Sequence, residues 1–165
     1  PLREMISNRR YDWIPGRTFS DDPHIDYLSK LIEFSRSLFL YSLNEAINHY
    51  GQDLKNEQWI LEPIADMVIS LAILDSGLKR YKNVDDNSQL KTDMQPVLEL
   101  VIHDRMEAMY KDAVNIGSHL DDQDKGIRKQ TMRAEKNKLD VDFSRITTMK
   151  QIFNQIDHYT KYYLD

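Results

Sequence analysis

Glu62 and Asp66 stand four residues apart, the spacing that sets two carboxylates on one face of a helix, where they could share a proton or a cation. Carboxylates at that spacing are common on helix surfaces. Asp66 is expected to pair with a Lys or Arg of a neighbouring helix, because an isolated buried carboxylate is costly, and if it is buried its role is to set helix register. A di-iron bundle needs Glu-x-x-His on two helices, and no glutamate of this chain is followed by histidine at the third position. His24, His49, His103, His119 and His158 are scattered, and each is expected as a surface or cap residue. Gly16, Gly51, Gly77, Gly117 and Gly126 never cluster into a phosphate loop. With no cysteine there is no thiolate nucleophile, disulfide or thiolate-bound zinc. No catalytic, cofactor-binding or metal-ligating residue is assigned to this chain.

One run of charge stands out. Lys125, Arg128, Lys129, Arg133, Lys136 and Lys138 face only Glu135 between residues 125 and 138, in a chain of net charge -5. Such a patch suits an anionic partner: a membrane surface, an acidic protein face or a phosphate group. The other reading is a solvated helix face, and the thin apolar edge around it weighs toward that. The acidic average argues against nucleic acid as a partner.

The elements that must position these groups read as helices. Asp21, Asp22 and Pro23 start the first: a carboxylate caps the orphan backbone N–H groups, and proline at the first helical position forfeits a donor that has no acceptor there. It should run to Tyr50 and stop at Gly51. Its segment 38–41 is apolar all round and must be covered from more than one side. A second helix is expected from Asn56 as cap to about Lys82, burying Trp59, Ile60, Ile64, Val68, Leu71, Leu74 and Leu78, with a kink at Pro63. The third should span roughly residues 89–120, with Pro96 a candidate for its true start. A thinner fourth covers 121–138, and a fifth, 144–163, presents Met149, Ile152, Phe153 and Ile156 as a ladder, with Tyr159, Tyr162 and Tyr163 at its end as core packing or an interface anchor.

These patterns predict an all-α fold, an up-and-down bundle of four to five helices over residues 21–165, preceded by a linker with a short helix over 1–20. A content of 41% hydrophobic and 30% charged residues, with 5 glycines and 5 prolines, suits a helix-rich chain of one core. The apolar run 64–74 is about half the length of a bilayer span. The absence of an initiator Met and of a signal-peptide layout leads to the expectation of a piece cut from a longer, cytoplasmic protein.

The stretch Lys55-Asn56-Glu57-Gln58-Trp59-Ile60-Leu61-Glu62-Pro63-Ile64-Ala65-Asp66-Met67-Val68-Ile69 resembles the Glu-Gln and Leu/Ile-Ala-Asp-Met-Ile segment in the C-terminal helical extension of acyl-CoA dehydrogenases of the very-long-chain type and their bacterial relatives. The order of elements is similar: an aromatic-Gly pair (Tyr50-Gly51) before the motif, then a helix, a basic stretch and an aromatic-rich terminal helix. The resemblance implies a parent enzyme that oxidises fatty acyl-CoA with FAD, its catalytic glutamate and flavin site lying upstream. For this extension it implies docking on the dehydrogenase core, help with homo-oligomer assembly or contact with a membrane surface. A stand-alone bundle that binds an apolar ligand or a partner helix, with Met67, Met106 and Met109 lining a plastic pocket, is the competing expectation.

Overall fold

The structure, a computed structural model, describes residues 17–120 and 145–164, with the side chains of 147–156 in the last segment. Among them are four α-helices and no strand: α1 (Pro23–Tyr50), α2 (Gln58–Lys82), α3 (Gln89–His119) and α4 (Arg145–Leu164). The all-α bundle expected from the sequence is therefore what forms. The expected helix over 121–138 and most of the expected linker lie outside the described residues.

Local chemistry sets the boundaries. Asp22 Oδ1 accepts from the backbone N–H of His24 at 2.8 Å and of Ile25 at 3.3 Å, with Pro23 in the first turn. The approach to α1 is fixed by Phe19 N–H, which donates to Asp26 Oδ1 at 2.6 Å. That bond follows Lys30 as a cause holding the Asp26 carboxyl below its ordinary range. At the other end Gly51 takes a φ of 56°, a left-handed value that disfavours any side chain. Ser88 caps α3 through a hydroxyl that accepts from Lys91 N–H at 3.2 Å. The helix starts seven residues before Pro96, whose ring is buried inside it.

One boundary differs from expectation. A 3-10 turn, Gly51–Asn56, follows α1, and α2 begins only at Gln58, with Glu57 at the cap position and no side-chain cap bond. Asn56 is spent inside the turn. The turn folds back far enough for Leu54 to reach the core, which a helix starting at Asn56 would not allow.

The direction of packing follows from cross-helix contacts. His24, at the start of α1, lies against Tyr81 at the end of α2, and Arg36 of α1 forks onto Asp75 of α2 at 2.8 and 2.9 Å. Trp59, at the start of α2, stacks on His119 at the end of α3. Tyr27 meets His103, and His24 approaches Glu99 Oε1 at 3.5 Å. Sequential helices thus run antiparallel, α1 and α3 run the same way, and α4 packs on α3.

The three long helices close on one core in which Leu28, Ile60, Met67, Leu74, Ile102, Met109 and Ala113 have no solvent exposure. Ser35 and Ser42 are buried on α1 at no polar cost: their hydroxyls donate back to the carbonyls of Leu31 and Leu38 at 3.0 and 2.9 Å. Met67 and Met109 are packed core residues and Met106 is partly buried against them. Two residues placed in the core by periodicity are not there: Trp59 is 39% and Val68 47% exposed. Phe153, on the expected ladder of α4, is 62% exposed.

At Gly77 the space beside α2 is taken by α3, since a Cβ there would lie 3.1 Å from Leu98 Cδ1. A Gly77→Leu substitution is expected to pry the two helices apart and lower stability. Leu74→Ala should cost about 2–5 kcal/mol by leaving a cavity. Urea unfolding followed by circular dichroism checks both, and wild-type midpoints would show that the core is packed otherwise.

Candidate functional site

The antiparallel run of α2 and α3 brings the first turns of one beside the last turns of the other. Between them opens a groove of about 410 Å³, lined by Trp59, Glu62, Pro63 and Asp66 from α2 and by Asp112, Asn115 and His119 from α3. The carboxylates expected on one helix face, Glu62 and Asp66, do line one wall. Asp66 is exposed and makes no ion pair among the described residues, so the expected partnership with a cation of a neighbouring helix does not arise. What faces it is a third carboxylate.

Partial burial, and then the neighbouring Asp66, push the Asp112 carboxyl above its ordinary value. The indole of Trp59 forms the roof. It rests on the His119 ring, centroids 4.5 Å apart, meets Tyr50 edge-on at 6.1 Å, and donates from Nε1 to Glu57 Oε2 at 2.6 Å. His119 is exposed, and its Nδ1–H donates to the Asn115 carbonyl at 2.8 Å, closing the last turn of α3.

This arrangement offers negative charge and an aromatic face in a shallow, open concavity. It suits a cationic side chain laid across it better than an acid–base reaction, since no nucleophile lies beside a general base in it. Among the described residues no three His, Asp or Glu side chains are grouped to hold a metal ion.

The other titratable pair is internal. The Tyr27 hydroxyl and His103 Nε2 share a hydrogen bond of 2.9 Å between α1 and α3. Burial, with the Glu99 charge, pushes Tyr27 up to about 12, and burial pulls His103 below its ordinary value. Both stay neutral near neutral pH and act as a polar clasp. His24 and His103 are thus half-buried packing residues, whereas His49 and His119 are exposed in the last turns of their helices.

The basic residues Lys125, Arg128, Lys129, Arg133, Lys136 and Lys138 lie outside the described residues. Sequence reasoning reached the α2 wall of the groove through spacing alone and missed Asp112, Asn115 and His119, because helical periodicity does not say which residues of another helix stand opposite. Among the described residues no helix is long and apolar enough to cross a membrane. Comparison with protein-family models, with curated proteins and with solved structures finds no match.

The raised Asp112 pKa has a definite sign. The folded state holds this proton more tightly than the unfolded state, so the group costs stability as pH rises from its ordinary value of 3.8 through the folded value. Asp112→Asn is expected to raise the melting temperature at pH 7, with the gain fading at pH below 3.8. Asp66→Asn should return the Asp112 carboxyl toward its ordinary titration in carbon-detected NMR. An unchanged titration would show that Asp66 does not act on it.

Proposed function

We propose that this chain is a non-catalytic interaction domain, accessory to an FAD-dependent acyl-CoA dehydrogenase, and that it works by burying surface against protein outside its own bundle. The observation that carries the reading is apolar surface left open on two different helices. On α2, Val68, Ile69 and Ile73 are 47%, 55% and 37% exposed, on the side away from the core. On α4, Met149, Phe153 and Ile156 stand at i, i+4 and i+7 and are 40%, 62% and 55% exposed. Clustered apolar side chains at helical spacing mark surfaces meant to be covered, whereas single exposed ones need no explanation.

The identity of the partner enzyme rests on the resemblance of residues 55–69, which lie in the approach to α2 and its first half. The α4 face is the one that this reading gives to the dehydrogenase core, and the groove at Trp59 and Glu62 offers a socket for a cationic side chain. The packed state of Met67 and Met109 speaks against a plastic pocket for an apolar ligand in the bundle interior.

The test is the protein translated from the complete reading frame. It is expected to show flavin absorbance and to oxidise a fatty acyl-CoA with an artificial electron acceptor. Phe153→Glu in that protein should leave turnover near wild type and speed limited proteolysis of this domain severalfold, by weakening its seat on the core. A colourless product without such activity would overturn the flavoenzyme reading, and unaltered proteolysis would overturn the role of the α4 face.

A further inference from the structure

The outer face of α2 reads as half of a symmetric contact. Ile60, Ile64, Met67, Leu71, Leu74 and Leu78 fill the core stripe, and at about 3.6 residues per turn the opposite stripe is Leu61, Ala65, Val68, Ile69, Ala72, Ile73 and Ser76. All of these are exposed except the half-buried Leu61. The stripe is continuous over four turns and no described element covers it. Small residues recur at Ala65, Ala72 and Ser76 between the branched Val68, Ile69 and Ile73, which lets a second helix approach closely while branched side chains interlock.

Charge at the two ends decides what that second helix is. Glu62 flanks the stripe at its N-terminal end, and Lys79 and Arg80 flank it at its C-terminal end. None of the three makes an ion pair among the described residues, whereas Lys30, Arg36, Lys91 and Lys111 are paired within the chain. A helix acidic at one end and basic at the other complements its own reverse. Turned end for end about a midpoint between Ser70 and Leu71, the stripe sets Val68 against Ile73, Ile69 against Ala72, Ala65 against Ser76 and Glu62 against Lys79, with Arg80 beside that pair. A parallel pairing would instead set Glu62 on Glu62 and Arg80 on Arg80.

We infer that α2 pairs antiparallel with α2 of a second copy of this chain, across a two-fold axis that passes the exposed side of the helix midway between Ile69 and Ala72, making a homodimer seam of the stripe from Leu61 to Arg80. An isologous contact of this kind needs one surface complementary to itself, and the stripe meets that condition in both shape and charge. The inference rests on reading the domain as an interaction module and is independent of which enzyme it serves.

Sedimentation equilibrium of the chain over a range of concentrations is expected to show a monomer–dimer equilibrium. Ala72→Glu sits at an exposed helical position and should leave the circular dichroism melt unchanged while weakening the dimer by about tenfold or more, through like charges set beside each other near the axis. Glu62→Lys and Lys79→Glu should each weaken it, and the two together should restore it. Because the chain has no cysteine, mixing Ala65→Cys with Ser76→Cys chains and oxidising should yield a cross-linked heterodimer, and mixing Ala65→Cys with Glu62→Cys should not. A monomer at every concentration, a dimer indifferent to Ala72→Glu, or a stripe held by residues 121–144 of the same chain would overturn the inference. A dimer from a frame that binds no flavin would refute the flavoenzyme reading and leave this one standing; bound flavin with a monomeric domain would do the reverse.

Discussion

Burial of one side of α2 between α1 and α3 is the constraint on which the other features depend. Ile60, Met67 and Leu74 have no exposure because both neighbours close over that side, and the missing side chain of Gly77 leaves room for Leu98 of α3. Fixing α2 in this way fixes its rotation about its own axis. The Glu62–Asp66 wall is thereby turned toward Asp112, and Val68, Ile69 and Ile73 are turned outward. The groove and the apolar stripe are thus two consequences of a single rotational setting.

Polar contacts between the helices specify pairing more than they supply stability. The Tyr27–His103 hydrogen bond joins α1 to α3, and the Arg36–Asp75 fork joins α1 to α2, with Lys82 Nζ near Ser29 Oγ at 3.5 Å at the same interface. Arg36 and Asp75 are largely solvated, so their attraction is screened and worth little, on the order of 1 kcal/mol or less. Their geometry still discriminates, because sliding α1 by one turn past α2 would part the fork and set Arg36 at the level of Lys79 in one direction or of the apolar Leu71 in the other. The half-buried Tyr27–His103 pair adds a stricter condition. A wrong register would leave both side chains partly buried without partners.

Much of this architecture was legible in the sequence because its signals are local. Asp22-Pro23 and Gly51 mark the ends of α1 through capping and a left-handed φ, and both act within a few residues of themselves. The start of α2 is not legible from the cap residue Asn56, because the competing structure, a 3-10 turn that brings Leu54 against the core, is favoured by a tertiary contact. The exposure of Trp59 and Val68 is hidden in the sequence for a related reason. Periodicity detects apolar residues at helical spacing, but α2 carries apolar residues on two sides, and the sequence does not say which side its own chain will cover. The groove shows the same division: its α2 wall followed from i,i+4 spacing, while Asp112 and His119 enter only through the pairing of α2 with α3.

A helix apolar on both sides is a poor choice for a bundle that ends at its own surface, since the outer stripe adds nothing to the three-helix core and invites nonspecific association. Its charges limit that hazard. Glu62 at one end and Lys79 and Arg80 at the other repel a parallel copy and reward a reversed one, so they select orientation while the apolar stripe supplies the driving force. The inner stripe therefore answers to the stability of the fold and the outer stripe to what the fold meets. A substitution at Leu74 and one at Ala72, less than one helical turn apart, are thereby placed in different physical problems.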